Sequence, residues 1–449
     1  MNVIIVGAGE IGYVAADTIS QFYDVLVIER DSDVAENLKG RLNVSVLHED
    51  GTNPKTLAYA IENHDADIII STLRRDDSNL FVCLMAKRIK PSIMTVASVT
   101  DPDFMIETSS QGEPGVDVII TPDIITAKKM FKLSTLENAV SYEFIDKLGV
   151  CVAIYDVRPT HQIVGKVVMS LDPPEGCTVF AIYRDDELYL NVDTMEIHVG
   201  DKLCVFGRGE GVDMFNTVIG ITDPAREFMI LGGSIVGMNL ARMLKEYQRN
   251  STVHIIERRA DVCMYLNKVM SGVDVVNSDF TDPDVQMAEN IFRCDCTIST
   301  THQDDTNLLM CMTAQKYNAR KIITSYFKKE YEDIFRYTGL ETIIGYYKIV
   351  SNEITKFTIS DETALLRLKK DNELFFTHTV REGSKLDGSY LGDLMIPEGI
   401  RIVAVKRGDE LLFPQIDTKF VQGDVVIVFT NLTNESDLAR VFGKRVLDL

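Results

Sequence analysis

The sequence predicts an α/β protein built from two doubly wound parallel-sheet domains, each followed by a small α+β domain. Three observations predict this. Short, apolar, β-branched runs alternate with helical patterns, which is the mark of βαβ units. A strand leading into a glycine turn, NVIIVGAGEIGYVAADTI from Asn2, returns as EFMILGGSIVGMNLARML from Glu227. The echoes after it keep one spacing: LVIER ends in Glu29-Arg30 and HIIER in Glu257-Arg258, while DDSNL and DDTNL place Asn79 and Asn307 the same 228 positions apart. A repeat of domain length means tandem duplication of a whole unit, not a solenoid.

The elements of the first domain follow in order. VIIVG, DVLVIE, VSVLHED, ADIIIST and MTVAS are strand-like, and YVAADTISQFY, KTLAYAIENH and NLFVCLMAKRIK are the helices between them. VDVIITP adds a strand, and DIITAKKMFKLSTLENAV has helical periodicity. Asp77 and Ser78 suit the cap of the helix that follows the fourth strand. From about Tyr142 the texture changes to hairpin strands, CVAIYDV, CTVFAIYRDDELYL and DKLCVFG, with IVGKVVMSL as a short helix. Gly220-Ile221-Thr222-Asp223-Pro224 reads as a linker. The small domain repeats too, since PPEGCTVFAIYRDDELYL matches IPEGIRIVAVKRGDELLF and HVGDKLCVF matches VQGDVVIVF. The expected domains are residues 1–123, 140–222, 226–345 and 363–447.

Composition narrows the function. With 45% hydrophobic and 25% charged residues among 449, the chain is ordinary for a globular protein. No run approaches the ~18 apolar residues of a membrane span, and the glycine-cut start reads as a buried strand, not a signal peptide. Cytoplasmic is the expected location. A net charge of −21 argues against nucleic acid as a partner, because that affinity rests on neutralising phosphates. It does not exclude a small anion, since distant surface charges are screened beyond about 8 Å. The eight cysteines sit in apolar patterns without ligand spacing, so no metal site is expected.

The chemistry lies in the turns. Gly7-Ala8-Gly9-Glu10-Ile11-Gly12 follows a strand and opens a helix, and Glu29 ends the next strand. Gly7 allows the tight turn, Gly9 lets a pyrophosphate reach the backbone, and Gly12 lets helix pack on strand. The helix N-terminus supplies free N–H groups and partial positive charge. Glu29 is placed to hold the adenosine ribose hydroxyls, favouring NAD or a plain adenine nucleotide over NADP; Arg30 complicates this by offering a phosphate partner. Glu10 is expected to point away from the phosphates. The second turn reads Gly232-Gly233-Ser234-Ile235-Val236-Gly237, with Ser234 where the middle glycine was and Glu257-Arg258 at the ribose position. The Cβ of Ser234 narrows the approach, although its hydroxyl could donate to a phosphate.

Asp50-Gly51-Thr52 and its echo Asp279-Phe280-Thr281 end the third strands, where an adenine edge would sit. Thr72-Leu73-Arg74 follows the fourth strand at the carboxyl-end crevice used for ligands by open α/β sheets. Arg74 or Arg75 could neutralise a phosphate there. Neither small domain offers a catalytic set; the polar residues at Arg184–Glu187 and Arg407–Glu410 read as solvated hairpin turns. Duplicated binding modules without added chemistry suit a sensor, not an enzyme, with an NAD-dependent oxidoreductase as the alternative.

VGAGEIG, LVIER, HEDGT and ISTLRRDDSNL, followed by a small β-α unit, resemble the Rossmann-like RCK (KTN) domains that gate potassium channels and transporters. The tandem order is similar to the regulatory subunits of Trk-type potassium uptake systems. The resemblance implies RCK N-terminal domains binding NAD(H) and ATP or ADP, and RCK C-terminal domains after each. It implies a homo-oligomeric ring, a tetramer, peripheral on the inner face of the membrane beneath a TrkH-type integral potassium transporter. Carried onto this sequence, Gly7, Gly9, Gly12, Glu29, Asp50, Gly51 and Thr72 form the first site, and Gly232, Ser234, Gly237 and Glu257 the second. One departure stands out. Where such domains carry A-R-V-R after the fifth strand, this chain has Ala97-Ser98-Val99-Thr100, so Ser98 replaces the arginine that meets phosphates. The second copy, Thr324-Ser325-Tyr326-Phe327, lacks it as well.

Overall fold

The computed structural model describes residues 1–101, 115–221, 224–248, 250–358, 366–368, 373–431 and 435–442. Thr222 and Asp223 of the expected linker, and the outer ends of the last expected domain, lie outside the described residues.

The first sheet contains β1 (Asn2–Val6), β2 (Asp24–Glu29), β3 (Ser45–His48), β4 (Ile68–Ser71), β5 (Met94–Ser98) and β6 (Val118–Ile120). All strands are parallel, in the order β3-β2-β1-β4-β5-β6. Val3 through Val6 are wholly buried, as expected of a central strand covered by helices on both faces. The connecting helices are Glu10–Ile19, Ser32–Arg41, Pro54–Asn63 and Asp76–Ile89, with Pro122–Thr135 after β6. Asp31 caps the second by accepting from the Asp33 and Val34 N–H groups, and Asn53 caps the third ahead of Pro54. The fourth differs from expectation. Its N-cap is Arg75, which makes no side-chain cap bond, and Asp77 instead pairs with the Arg75 guanidinium (Nε to Oδ1, 3.0 Å).

The first small domain is an antiparallel sheet of β7 (Ala139–Ile145), β8 (Val150–Asp156), β9 (Cys177–Arg184), β10 (Glu187–Tyr189) and β11 (Lys202–Gly207), ordered β10-β9-β11-β8-β7. Two local expectations change here. Helical periodicity stops at Thr135, because Ala139 and Val140 already belong to β7. IVGKVVMSL forms only a single 3-10 turn, Val168–Ser170, after the positive φ of Gly165 ends any helical path. A helix the periodicity missed, Gly209–Ile219, closes the domain.

The second parallel sheet repeats the first: β12 (Glu227–Leu231), β13 (Thr252–Glu257), β14 (Asp274–Asn277), β15 (Cys296–Ser299), β16 (Ile322–Tyr326) and β17 (Ile343–Gly345), ordered β14-β13-β12-β15-β16-β17. The last sheet holds β18 (Leu366–Arg367), β19 (Leu374–Thr379), β20 (Ile400–Arg407), β21 (Glu410–Leu412) and β22 (Val425–Thr430), ordered β18-β19-β22-β20-β21.

Packing sorts the chain into two units, residues 1–131 with 226–358, and 132–225 with 359–449. In the first unit the helix Tyr346–Thr358 lies on the helix Glu10–Ile19, so that Tyr346, Val350 and Ile354 share a core with Val14 and Ala15. The Tyr347 hydroxyl donates to Asp17 Oδ2 at 2.7 Å, and Thr18 meets Ser351 at 3.1 Å. In the second unit the two antiparallel sheets share a core in which the Phe180 ring lies 5.3 Å from Phe375 and 5.2 Å from Phe429. The hairpin arginines are not simply solvated. Arg184 holds Asp201 with two bonds of 2.7 Å, and Arg407 holds Asp424 with two of 2.8 Å. All eight cysteines are buried.

Candidate functional site

The three glycines of the first turn are there for different reasons. Gly7 has φ of +89°, a region closed to most side chains. Gly12 packs so tightly that a Cβ would lie 2.0 Å from the Gly7 carbonyl oxygen and 2.6 Å from Thr72 Oγ1. Both are demanded by the fold. Gly9 is not. Its φ is −64°, and a Cβ there would meet nothing within 4 Å. It caps the helix Glu10–Ile19 without any side-chain hydrogen bond, leaving the N–H groups of the first turn pointing outward from the end of β1. Glu10 is exposed on the same turn.

Other expected residues brace this turn. Thr72, buried at the end of β4, donates its hydroxyl to the Gly7 carbonyl at 2.9 Å. Glu29 accepts from the Ala8 N–H at 2.6 Å and the Asp31 N–H at 2.8 Å, which fixes its carboxylate beside the turn. Gly51 lies against β1, since a Cβ would sit 2.3 Å from Val6 Cγ1. Asp50 closes a small turn by accepting from the Thr52 N–H and hydroxyl, and those bonds hold its carboxyl below the usual range. Leu73 is half-buried, and Arg74 and Arg30 are exposed at the same end of the sheet. Ser98 is buried at the end of β5.

The aspartate–asparagine motif proves to be the frame that joins these loops. Asn79 accepts from Ser71 Oγ and the Leu73 N–H and donates to the carbonyls of Leu73 and Ser98, all within 2.7–2.9 Å. Asp76 accepts from the Thr100 and Asp101 N–H groups. Asn307 and Asp304 repeat both arrangements, tying Thr301 to Ser325 and capping Phe327 and Lys328.

The second turn keeps the frame and changes the lining. Gly232 has φ of +106°, a Cβ on Gly237 would lie 2.5 Å from Gly232 O, and Thr300 donates to Gly232 O at 2.8 Å. Ser234 takes the place of Gly9, and its Oγ accepts from the Gly237 N–H at 3.1 Å. The hydroxyl expected to meet a phosphate therefore consumes one of the helix's own donors. Ile235 is partly exposed, while Val236 is core. Phe280 does not line a crevice. It is buried with Leu231 and Ile256 under the sheet, because a large apolar ring at the Gly51 position is driven inward; Asp279 stays outside and bonds Thr281.

One residue further on, the second repeat differs from the first. Arg258 is exposed, and the partner of Glu257 is Arg259. Burial alone would raise the Glu257 carboxyl, but the Arg259 side chain and the N–H groups of Arg259 and Gly233 hold it below the usual range. The only signal in the sequence is the change of Asp31 to Arg259 at the same repeat position.

Sequence reasoning also missed Asp123, which starts the helix after β6 and is 4% exposed. Burial raises its carboxyl above the usual range, against the opposing pull of His302 and a hydrogen bond to Tyr346. The His302 ring packs at a tilt on Phe327, and Phe327 does so on Tyr346, so the second repeat closes over this acid.

The pattern of the TrkA-N domain matches residues 3–122 and again 228–345, more than half the chain, and that of the TrkA-C domain matches 375–443. The chain belongs to the TrkA family. Trk system potassium uptake protein TrkA homolog 1 of Methanosarcina mazei is 27% identical across 98% of this chain and 100% of its own length. Trk system potassium uptake protein TrkA of Vibrio alginolyticus is 23% identical across 98% of both. Among solved structures, the GsuK RCK domain superposes with a TM-score of 0.66 at 16% identity, covering 99% of this chain and 95% of that one. The GsuK channel bound to NAD gives 0.65 at 17% identity, covering 99% and 78%. These likenesses show that the fold of this chain is shared with the GsuK RCK domain.

Proposed function

We propose that this chain is the nucleotide-sensing regulatory subunit of a Trk-type potassium uptake system, with no catalytic step of its own. The observation that carries the reading is Gly9: nothing within the fold requires a glycine there, whereas a pyrophosphate approaching the helix N–H groups does. Glu29 beside it is set for the ribose hydroxyls, with Asp50, Gly51, Thr72, Leu73, Arg74 and Ser98 around the crevice. NAD(H) is the favoured ligand, with ATP or ADP as competitors. Relatives named for potassium uptake, and an RCK relative solved with NAD, support both halves of this reading.

The ligand-bearing turn opens the helix Glu10–Ile19, and the flank of that helix carries the helix Tyr346–Thr358 of the second repeat. Nucleotide occupancy therefore biases how the two repeats pack. A coupling of about 1–3 kcal/mol, ordinary for linked sites, shifts a partner's open fraction by roughly 5- to 150-fold. The partner is an integral TrkH-type potassium transporter, under which the chain sits on the cytoplasmic face. No helix among the described residues is long and apolar enough to cross a membrane.

The working domain boundaries are 1–123, 140–222, 226–345 and 363–447. Ring assembly, as a homotetramer, is supported by a duplicated apolar pair: Phe81 and Leu84 are exposed on the helix after β4, and Leu309 and Met312 occupy the matching positions after β15. Titrating the pure protein with NAD, NADH, ATP and ADP while recording stoichiometry and oligomer size tests the reading. Steady NADH consumption with a small carbonyl would replace it with an oxidoreductase. Phe81→Asp should break the ring without unfolding the protomer; an unchanged mass by light scattering removes that face from the assembly.

A further inference from the structure

We infer that Arg259 is the residue that closes the second crevice to ribose-dependent nucleotides, making the two repeats chemically different sensors. This deepens the functional reading above and rests on it. A carboxylate offers about four lone-pair directions. Glu29 accepts two N–H groups, from Ala8 and Asp31, and keeps two directions for the paired hydroxyls of a ribose. Glu257 accepts four: the Gly233 N–H at 2.8 Å, the Arg259 N–H at 2.9 Å, and the Arg259 Nε and Nη2 at 3.0 and 3.2 Å. Nothing is left for a diol.

The exchange has a visible origin. In the first repeat this position is Asp31, whose carboxylate turns away from Glu29 to cap the following helix, through the Asp33 and Val34 N–H groups. Arg259 starts the corresponding helix, Ala260–Val269, and makes no cap bond there. It folds back to Glu257, although its own side chain is 57% exposed while that of Glu257 is 6% exposed. An aspartate at this position would also repel Glu257 where arginine neutralises it. The neighbouring backbone has tightened as well: Gly233 stands where the first repeat has Ala8, and a Cβ on it would lie 3.2 Å from Glu257 Cγ and 2.8 Å from Leu266 Cδ1. The second crevice therefore lacks the ribose anchor that the first retains.

The test is NAD titration of the full chain in the Ser234→Gly background, which gives the second repeat the backbone approach that Gly9 already gives the first, with and without Arg259→Asp. Thermal melts confirm that both variants fold. Adding R259D is expected to tighten the second-site Kd by on the order of ten- to a hundredfold, the effect of regaining a charge-assisted hydrogen bond to a hydroxyl. The reciprocal Asp31→Arg change is expected to weaken the first site by a similar factor. A folded S234G/R259D protein with the second-site affinity of S234G alone overturns this inference and leaves the functional reading standing. Absence of NAD binding in wild type and all variants overturns both.

Discussion

Gly9→Ser separates the demands of the fold from those of a ligand. The second repeat supplies the geometry, because Ser234 occupies the same turn position and its Oγ accepts from the Gly237 N–H. In the first repeat a Cβ at Gly9 meets nothing within 4 Å and the φ of −64° suits any residue. Serine should therefore be accepted and should cap the helix better than glycine by a few tenths of a kcal/mol. Tm should stay level or rise by about 1 °C. Binding should move the other way. The new hydroxyl captures one first-turn N–H, and its carbon stands where the pyrophosphate must approach. The loss of one charge-assisted bond is about 1.5–3 kcal/mol, or roughly 10- to 150-fold in Kd. Calorimetric titration with NAD beside a thermal melt reads both quantities from one preparation. Unchanged affinity, or a melting loss as large as the binding loss, would refute the assignment of Gly9 to the ligand.

Gly12→Ala should behave in the opposite way, costing about 1–3 kcal/mol in urea unfolding because the new carbon would lie 2.0 Å from the Gly7 carbonyl oxygen; a fully stable variant would contradict the packing. Asn79→Ala removes four hydrogen bonds, two of them fully buried, and strands the Leu73 N–H and Ser98 carbonyl. A destabilisation of about 3–5 kcal/mol is expected, with Asn307→Ala close behind, and either falling below about 1 kcal/mol would show that water replaces the frame. Asp424 gives a pH test. Burial opposes its ionisation, but Arg407 and the Val421 N–H outweigh burial and hold the carboxyl below the usual range. Its contribution is thus complete above the unfolded value of about 4 and is lost as pH falls through the lower folded value. In Arg407→Ala the buried charge has no counterion, so about 1–3 kcal/mol should be lost at pH 7, less than for a fully buried pair because the Arg407 side chain is 40% exposed. Part of it is regained on acidification toward pH 5, visible as a rise of the variant's urea midpoint over a range where this pair leaves the wild-type midpoint level.

Much of the architecture was legible because it is written locally. β1 to β5 of the first sheet fall on the runs from VIIVG to MTVAS, and the central strands β1, β4 and β5, covered on both faces, are nearly continuous apolar runs. The glycine turn was legible for the same reason: Gly7 and Gly12 answer to backbone dihedral and close approach, which spacing alone expresses. The small domain is less legible. Gly165 interrupts what looks helical in IVGKVVMSL, and the helix Gly209–Ile219 begins without a side-chain cap.

The duplication, the α/β class and the place of both turns are written in the chain itself, because period and glycine sterics act between neighbours. Tertiary structure alone decided which side chains do the work around them. Asp77 pairs with Arg75 instead of capping, Phe280 goes inward, Ser234 spends its hydroxyl on its own helix, and Arg259, not Arg258, reaches Glu257. Asp123 meets Tyr346 only because the second repeat folds over the first. Each of these outcomes depends on rotamers and on partners set by packing, and a one-dimensional pattern carries no information about which of two adjacent arginines faces a carboxylate.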